Sequence, residues 1–174
     1  MRLILIGCAV LLAGTALAQH RHTHHAATPY AGFQNREIKA LSGQEIADLR
    51  AGRGMGLALA AELNSYPGPM HVLEHAAALR LTPPQRRDIE AQMAAMRSEA
   101  ITAGEAVIAA EAALDRLFAS GRIDDASLAA QLRVVAAAQA ELRRIHLATH
   151  LRTRASLTSE QVARYDQLRG YARP

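Results

Sequence analysis

Two long apolar stripes constrain the fold more than any other feature of the chain. In the first, apolar or small residues recur at alternating steps of four and three, at Ile89, Met93, Met96, Ala100, Ala103, Val107, Ala110, Leu114 and Leu117. The second stripe has the same spacing and extends toward Arg154, with members at Leu128, Leu132, Val135, Gln139 and Leu142. This spacing predicts one buried face on each of two long helices. Because only a short turn at Ser120-Gly121 separates them, the two helices should pack antiparallel.

Shorter helices are predicted on both sides of this hairpin. A capping box pairs a Ser or Thr with a Glu or Gln three residues later and marks a helix start. Such boxes occur at Ser42 with Glu45, Thr82 with Gln85 and Thr158 with Gln161. Further helices are predicted over residues 57–64 and from Pro69 to about Arg80. No segment alternates with a period of two, so the predicted fold class is all-α: a long antiparallel helical hairpin with shorter flanking helices, forming a helical bundle.

The first residues have the pattern of a secretory signal peptide. Met1-Arg2 precedes an apolar run from Leu3 to Leu12, and Ala16-Leu17-Ala18 supplies small residues before Gln19. Cleavage there predicts a periplasmic protein, with an uncleaved anchor or a lipoprotein cleavage box at Cys8 as the alternatives. Cys8 is the single cysteine. The mature chain therefore has no thiolate, and any metal chemistry must use His, Met and carboxylates.

These patterns divide the chain into four segments. We predict a signal peptide over residues 1–18, a disordered His-rich tail over 19–35, short helices with a Gly-rich hinge over 36–66, and the helical hairpin domain over 67–174. The tail, which begins QHRHTHHAATP, has nothing to bury. Its histidines either capture metal loosely or are simply solvated.

Composition and motifs argue against two function classes. The 20 basic and 16 acidic residues are scattered along helical stretches, and aromatic residues are only 3% of the chain, which is unlike a nucleic-acid-binding surface. The order His71 to Glu74 is the reverse of the Glu-x-x-His motif of a di-iron bundle and is not repeated. No Ser/His/Asp order stands out, and GRGMG (52–56) lacks the preceding strand of a phosphate loop. We therefore predict a protein that is not an enzyme and binds no nucleic acid.

The four histidines outside the first 25 residues form two pairs at a spacing of four. The pairs are His71 with His75 and His146 with His150. Residues four apart on a helix lie on one face, about 6 Å from each other, so two imidazoles can share one ion. The alternative for each histidine is an ordinary hydrogen-bonded residue of the interior.

The hairpin register predicts that both pairs reach the same end of the bundle. His146 follows Leu142 by four residues and so falls on the buried stripe. With the turn near Arg122, the second pair should lie level with residues 94–98, while the first pair should lie level with residues 88–92. We predict a metal site drawn from His71, Glu74, His75, His146 and His150, in which either Glu74 or His75 completes a set of three imidazoles. Such ligands suit a divalent transition metal, Zn, Cu, Ni or Co.

Two copies of one short motif carry a family resemblance. Leu81-Thr82-Pro83-Pro84-Gln85 and Leu157-Thr158-Ser159-Glu160-Gln161 both read L-T-x-x-Q. The chain resembles the LTxxQ (Spy/CpxP-like) superfamily of periplasmic proteins, which includes heavy-metal sensors and resistance proteins as well as envelope-stress chaperones. The resemblance implies an all-helical fold and a role in the stress response. It also implies a membrane-anchored regulator or unfolded envelope proteins as partners, and a homodimer.

Together, these features lead to two hypotheses of different classes. The first is a periplasmic metal-binding protein that serves metal sensing, buffering or envelope stress protection, since the paired histidines favour the heavy-metal sensor branch. The second is a metal-independent periplasmic holdase chaperone that uses an apolar helical surface.

Overall fold

A computed structural model describes residues 28–171 of the chain, and every regular element in that range is helical. The helices are α1 (Gly43–Arg50), α2 (Leu59–Glu62), α3 (Pro69–Glu74), α4 (Pro83–Ala119), α5 (Asp125–Ala155) and α6 (Ser159–Arg169), with a 3-10 helix at Phe33–Asn35. The predicted all-α class is confirmed. Contacts divide the chain after Ala31, and all of these helices belong to the unit that begins at Gly32. The predicted signal peptide and residues 19–27 of the tail lie outside the described residues.

The hairpin of α4 and α5 is antiparallel in the predicted register. Near its open end, Ser156 Oγ donates to Asp88 Oδ2 at 2.6 Å, and Thr153 Oγ1 donates to Gln92 Oε1 at 3.0 Å. Near the turn, Gln131 Nε2 donates to the backbone carbonyl of Ala110 at 2.8 Å. Asp124 caps the start of α5 with its side chain, and Gly121 adopts a left-handed φ of 65° in the turn.

The buried stripe is predicted correctly on α4 and only in part on α5. Every predicted position of α4 is buried or half-buried. On α5, however, Leu132 and Gln139 are exposed, and the residues facing inward near the turn are Leu128, Gln131, Val135 and Ala138. A straight helix has 3.6 residues per turn, whereas alternating steps of four and three assume 3.5. Over several turns the predicted positions therefore rotate away from the face of α5 that contacts α4.

The three predicted capping boxes are confirmed, but α3 is shorter than predicted. Each Ser or Thr side chain accepts from the backbone N–H of the third helical residue. The Glu or Gln side chain at that residue accepts in turn from the backbone N–H of the Ser or Thr. The helix that begins at Pro69 ends at Glu74, with His75 as its C-cap, instead of continuing to Arg80. Turns cover residues 75–80, and Arg80 takes a positive φ of 50°. The prediction was wrong because the helical hydrogen-bond spacing is not sustained here: Arg80 N–H bonds to Ala77 O at 3.1 Å and Leu81 N–H bonds to Ala76 O at 3.0 Å. Likewise, α2 covers only part of the predicted 57–64.

The two L-T-x-x-Q boxes bond directly to each other through their glutamines. Gln85 Nε2 donates to Gln161 Oε1 at 2.9 Å, and Gln161 Nε2 donates to Gln85 Oε1 at 3.1 Å. Gln85 Nε2 also donates to the Ser156 carbonyl at 2.9 Å, and Gln161 Nε2 donates to the Leu79 carbonyl at 3.2 Å. The paired amides therefore hold the starts of α4 and α6 together and anchor the chain leading into each helix.

Two apolar clusters form the core on either side of a polar band. One, formed by α1, α4 and α5, includes Ile46, Leu49, Ala103, Val107, Leu142 and Ile145. The other, at the open end of the hairpin, includes Val72, Leu79, Ile89, Leu157, Val162 and Tyr165. The buried face of α5 runs from Ile145 in the first cluster through His146, Thr149, His150 and Thr153 before the chain reaches Leu157 in the second.

Helix α1 crosses α4 at Gly104, where no side chain would fit. A Cβ atom on Gly104 would lie 2.5 Å from the backbone oxygen of Leu49. Because that neighbour is backbone, it can yield only if α1 moves away from α4. We therefore expect Gly104→Ala to lower the free energy of unfolding by about 1–3 kcal/mol, as overpacked core substitutions do, when measured by urea denaturation.

The matched control is Gly43→Ala, since a Cβ on Gly43 meets nothing within 4 Å. Alanine favours a helix over glycine by up to about 1 kcal/mol, so this variant should be as stable as the wild type or more so. Equal stability of the two variants would contradict the close approach of α1 to α4.

Candidate metal centre

The polar band on α5 carries the second histidine pair into the interior. His146 is 2% exposed and His150 is 8% exposed, and Thr149 and Thr153 on the same face are fully buried. The threonine hydroxyls are satisfied, since Thr149 Oγ1 donates to the Ile145 carbonyl and Thr153 Oγ1 donates to Gln92. The predicted placement of His146 on the buried face is confirmed. The two imidazoles therefore face protein and not solvent.

His150 has one ring nitrogen fixed by the backbone. Its Nδ1 lies 2.7 Å from the carbonyl oxygen of Tyr66. A carbonyl oxygen only accepts, so Nδ1 carries the proton in the neutral ring, and Nε2 keeps its lone pair. The Cε1–Nε2 edge faces Gly68, where a Cβ would come within 2.8 Å of Cε1 and 2.9 Å of Nε2. Glycine at this position therefore leaves room at the edge of the ring that has the free lone pair.

His146 presents a buried nitrogen without a partner. Its Nε2 has no hydrogen-bond partner among residues 28–171, which is costly for a polar atom out of contact with water. Burial first, and then the nearby charge of His150, lower the pKa of His146 below its usual value of 6.5. The ring is therefore held neutral, which is the form that binds a metal.

The first histidine pair separates at the end of α3. His71 Nδ1 lies 2.7 Å from Glu74 Oε2, and this hydrogen bond is the main reason that the pKa of Glu74 is lowered. The carboxylate accepts, so in the neutral form of His71 the proton lies on Nδ1 and the lone pair on Nε2. His75, the C-cap, instead packs edge-on against Tyr165, with ring centroids 6.5 Å apart. Glu74 therefore supports His71, and His75 belongs to the contact with α6.

The structure brings the predicted residues to one end of the hairpin without gathering them around one point. His150 contacts Tyr66 and Gly68, just ahead of α3, and α3 itself packs on α4 and α5. In the described part of the chain, however, no three side chains of His, Cys, Asp or Glu are placed to hold a metal ion. An ion shared by His71, His146 and His150 would therefore require these side chains to move closer together.

Sequence reasoning missed two residues of this region, Glu62 and Tyr165. Glu62 is 7% exposed, and its carboxylate accepts a short hydrogen bond from the hydroxyl of Tyr165, which is fully buried. Its Oε2 lies 3.7 Å from His150 Nδ1. The one available signal is a lone acid in the apolar stretch LALAAEL (57–63). Nothing in the sequence indicates its partner more than a hundred residues away, because that contact is made only in the folded chain.

Comparisons with known proteins agree with the doubled motif. A family model described as LTXXQ motif family protein matches residues 70–169. That range begins at the start of α3, ends with α6 and contains both glutamines of the amide pair. Among curated proteins and solved structures, none matches the chain. No helix within residues 28–171 is long and apolar enough to cross a membrane.

The lowered pKa of His146 predicts how stability depends on pH. The unfolded chain takes up a proton on this residue near pH 6.5, whereas the folded chain does so only at a lower pH. The unfolded state then binds more protons, so the free energy of unfolding falls as the pH drops below about 6.5. We expect His146→Leu to flatten this fall between about pH 6.5 and 5 in urea denaturation.

Thr149→Val is the matched control, because it removes a buried polar group from the same face and leaves His146 in place. It should retain the wild-type slope. An identical pH dependence in His146→Leu and the wild type would show that His146 is not held neutral by burial.

Proposed function

The chain belongs to the LTXXQ motif family, and from that premise we propose that it binds a divalent transition metal in the periplasm and serves metal sensing, buffering or envelope stress protection. The proposed ligands are His71, His146 and His150, with Glu74 orienting His71. The family resemblance supports the coarser part of this proposal, a role in envelope stress or metal resistance. The finer part, metal binding, is supported by the histidines themselves.

The observation that carries the proposal is the buried, unpartnered Nε2 of His146. An unsatisfied buried nitrogen costs stability, and a bound ion would convert that cost into a coordinate bond. The neighbouring His150 presents an Nε2 lone pair beside Gly68, where a Cβ would otherwise fill the space. Both features fit an ion bound between two imidazoles that lie one turn apart on α5.

The hydrogen bonds of His71 and His150 also fit a metal centre. A metal-ligating histidine usually donates its other ring N–H to a carboxylate or a backbone carbonyl, which fixes the tautomer and the ring orientation. His71 does so to Glu74 and His150 does so to Tyr66. Imidazole ligands without thiolate suit Zn(II), Cu(II), Ni(II) or Co(II).

An ion held by α3 and α5 would couple metal binding to folding. The two helices belong to distant parts of the sequence, so the unfolded chain cannot offer the same ligand set. Binding to the folded state alone raises its stability by mass action, by about 2.7 kcal/mol at a hundredfold excess of metal over the dissociation constant. In a sensor or a buffer, the same coupling would convert the metal concentration into a change in the position of α3.

Metal stabilisation provides the direct test of this function. We expect mature protein to melt at a higher temperature with at least one of Zn(II), Cu(II), Ni(II) and Co(II), and the double variant His146→Ala/His150→Ala to lose that shift. The shift should disappear below about pH 6, where free imidazole becomes protonated. Calorimetric titration and thermal melts followed by circular dichroism measure both quantities.

Thr149→Val is again the control, since it alters the polar band between the two histidines but removes no proposed ligand. It should keep the metal-dependent shift. A full shift in the double variant would exclude His146 and His150 as ligands, and the absence of a shift with all four ions would exclude metal binding at this site.

One observation favours the second candidate function, a metal-independent holdase chaperone. Large apolar side chains are exposed around α2 and at the start of α3, including Leu59 at 55% and Leu63 at 52%. Met55, Tyr66 and Met70 in the same segment are also exposed. Such a concentration of apolar surface is typical of sites that bind other proteins.

The holdase candidate predicts that the protein suppresses aggregation of an unfolded client without metal. Leu59→Ser/Leu63→Ser should then reduce suppression severalfold in a light-scattering assay, because each substitution removes exposed apolar area. Leu132→Ser, at an exposed leucine near the hairpin turn, is the matched control and should leave suppression unchanged. Equal activity of all three proteins would exclude the α2 segment as the client surface.

A further inference from the structure

Glu62 is a buried carboxylate that belongs to none of the sequence motifs. It lies at the end of α2, and its side chain is 9% exposed. A buried charge is stable only when nearby groups compensate it. The hydrogen-bond donors and charged groups around Glu62 therefore indicate the role of this carboxylate in the structure.

Three groups hold the carboxylate in place. Its Oε1 accepts from the Tyr165 hydroxyl of α6 and lies 3.6 Å from Arg169 Nε, and its Oε2 accepts from the backbone N–H of Gly68 at 3.1 Å. Burial, followed by the bond to Glu62, raises the pKa of Tyr165. The hydroxyl thus keeps its proton and remains a donor. These bonds connect α2, the loop before α3, and α6 at one fixed carboxylate.

The same carboxylate lies behind the ring of His150. Glu62 Oε2 is 3.7 Å from His150 Nδ1, the nitrogen that donates to Tyr66 O. The negative charge is therefore near the protonated side of the ring, while the Nε2 edge lies against Gly68. A carboxylate in this position keeps the ring in one orientation and places negative charge close to a cation bound at the far nitrogen.

Glu62 also holds the backbone that borders the His150 ring. Its bond to Gly68 N–H fixes the glycine whose missing Cβ leaves space at His150 Nε2. Tyr66, which accepts the Nδ1 proton, lies two residues earlier in the same loop. A single side chain therefore places a carboxylate beside His150 and also holds the loop whose Tyr66 carbonyl sets the tautomer of that ring.

We propose that Glu62 is a positioning residue of the metal site, which holds Nε2 of His150 ready to bind and supplies negative charge that offsets the bound cation. This inference rests on the proposed function. Through Tyr165, Glu62 also links the metal site to α6, the helix that begins within the second L-T-x-x-Q box. Metal affinity and the docking of α6 are therefore properties of one connected group of residues.

The test compares Glu62→Gln with Tyr165→Phe in the full mature chain. Glutamine keeps the size of Glu62 but removes its charge, whereas phenylalanine removes a hydrogen bond to Glu62 and leaves the carboxylate beside His150. Affinity for Zn(II), and for Ni(II) as a second probe, is measured by competition with a chromophoric chelator. We expect Glu62→Gln to weaken binding about 10- to 100-fold, and Tyr165→Phe to lower the melting temperature while changing affinity far less.

Two results would overturn the proposal while leaving the metal site intact. One is a wild-type affinity in Glu62→Gln. The other is a loss of affinity in proportion to the loss of stability, with the same proportion in Glu62→Gln and Tyr165→Phe. Glu62 would then act only by stabilising the fold. If the wild type binds neither ion, the proposed function itself fails, which distinguishes the two failures.

A measurement on the wild type can overturn the proposal even if Glu62→Gln does not fold. Nitrogen NMR of the imidazole rings reports which nitrogen carries the proton. His150 should be protonated at Nδ1 without metal, and addition of Zn(II) should shift Nε2 while Nδ1 remains protonated. Binding through Nδ1, or no change at His150 when Zn(II) binds, would contradict the positioning by Glu62.

Discussion

The reciprocal hydrogen bonds between Gln85 and Gln161 are the interaction on which the rest of the architecture depends. Each amide group uses its two N–H donors on the partner amide and on a backbone carbonyl. Each Oε1 also accepts from the backbone N–H of the Thr that begins its own box. A fully satisfied pair of this kind specifies one arrangement, because any shift would leave polar groups unpaired in a partly buried place. The leucines of the boxes pack into the apolar cluster beside it.

That junction determines where α6 lies, and α6 in turn brings Tyr165 to Glu62. The fully buried Tyr165 lies in the cluster that adjoins the amide pair, and its hydroxyl reaches the carboxylate at the end of α2. Glu62 then holds the loop that contacts His150. The family motif and the histidine site are therefore connected by packing, although no residue belongs to both.

The polar band on α5 gives up stability that an apolar face would have provided. His146 and His150 lie between two apolar clusters, where leucine or isoleucine would bury more apolar area without an unsatisfied nitrogen. The threonines of the band meet their hydrogen-bonding requirements, but Nε2 of His146 does not. Departures of this kind from good packing are concentrated at functional sites. The proposed metal would explain why the unsatisfied Nε2 of His146 is present in the interior.

Local patterns in the sequence determined the helical elements and their pairing. The boxes at Ser42, Thr82 and Thr158 mark helix starts because each cap forms within four residues, and the register of α4 and α5 follows from one short turn. The same patterns placed His146 on the buried face. They could not show that α3 ends at Glu74 or that Leu132 points outward, since turns and small drifts in helix contact depend on what packs nearby.

Only the tertiary structure decided the partners of the histidines. Spacing grouped His71 with His75, yet Glu74 bonds to one and Tyr165 packs against the other. Glu62, which the sequence left among apolar neighbours, comes to lie behind His150 with Tyr165 as its donor. The physical reason is that a helix repeats its own spacing along the chain, whereas a buried carboxylate is stabilised by whatever donors folding brings to it from far away in sequence.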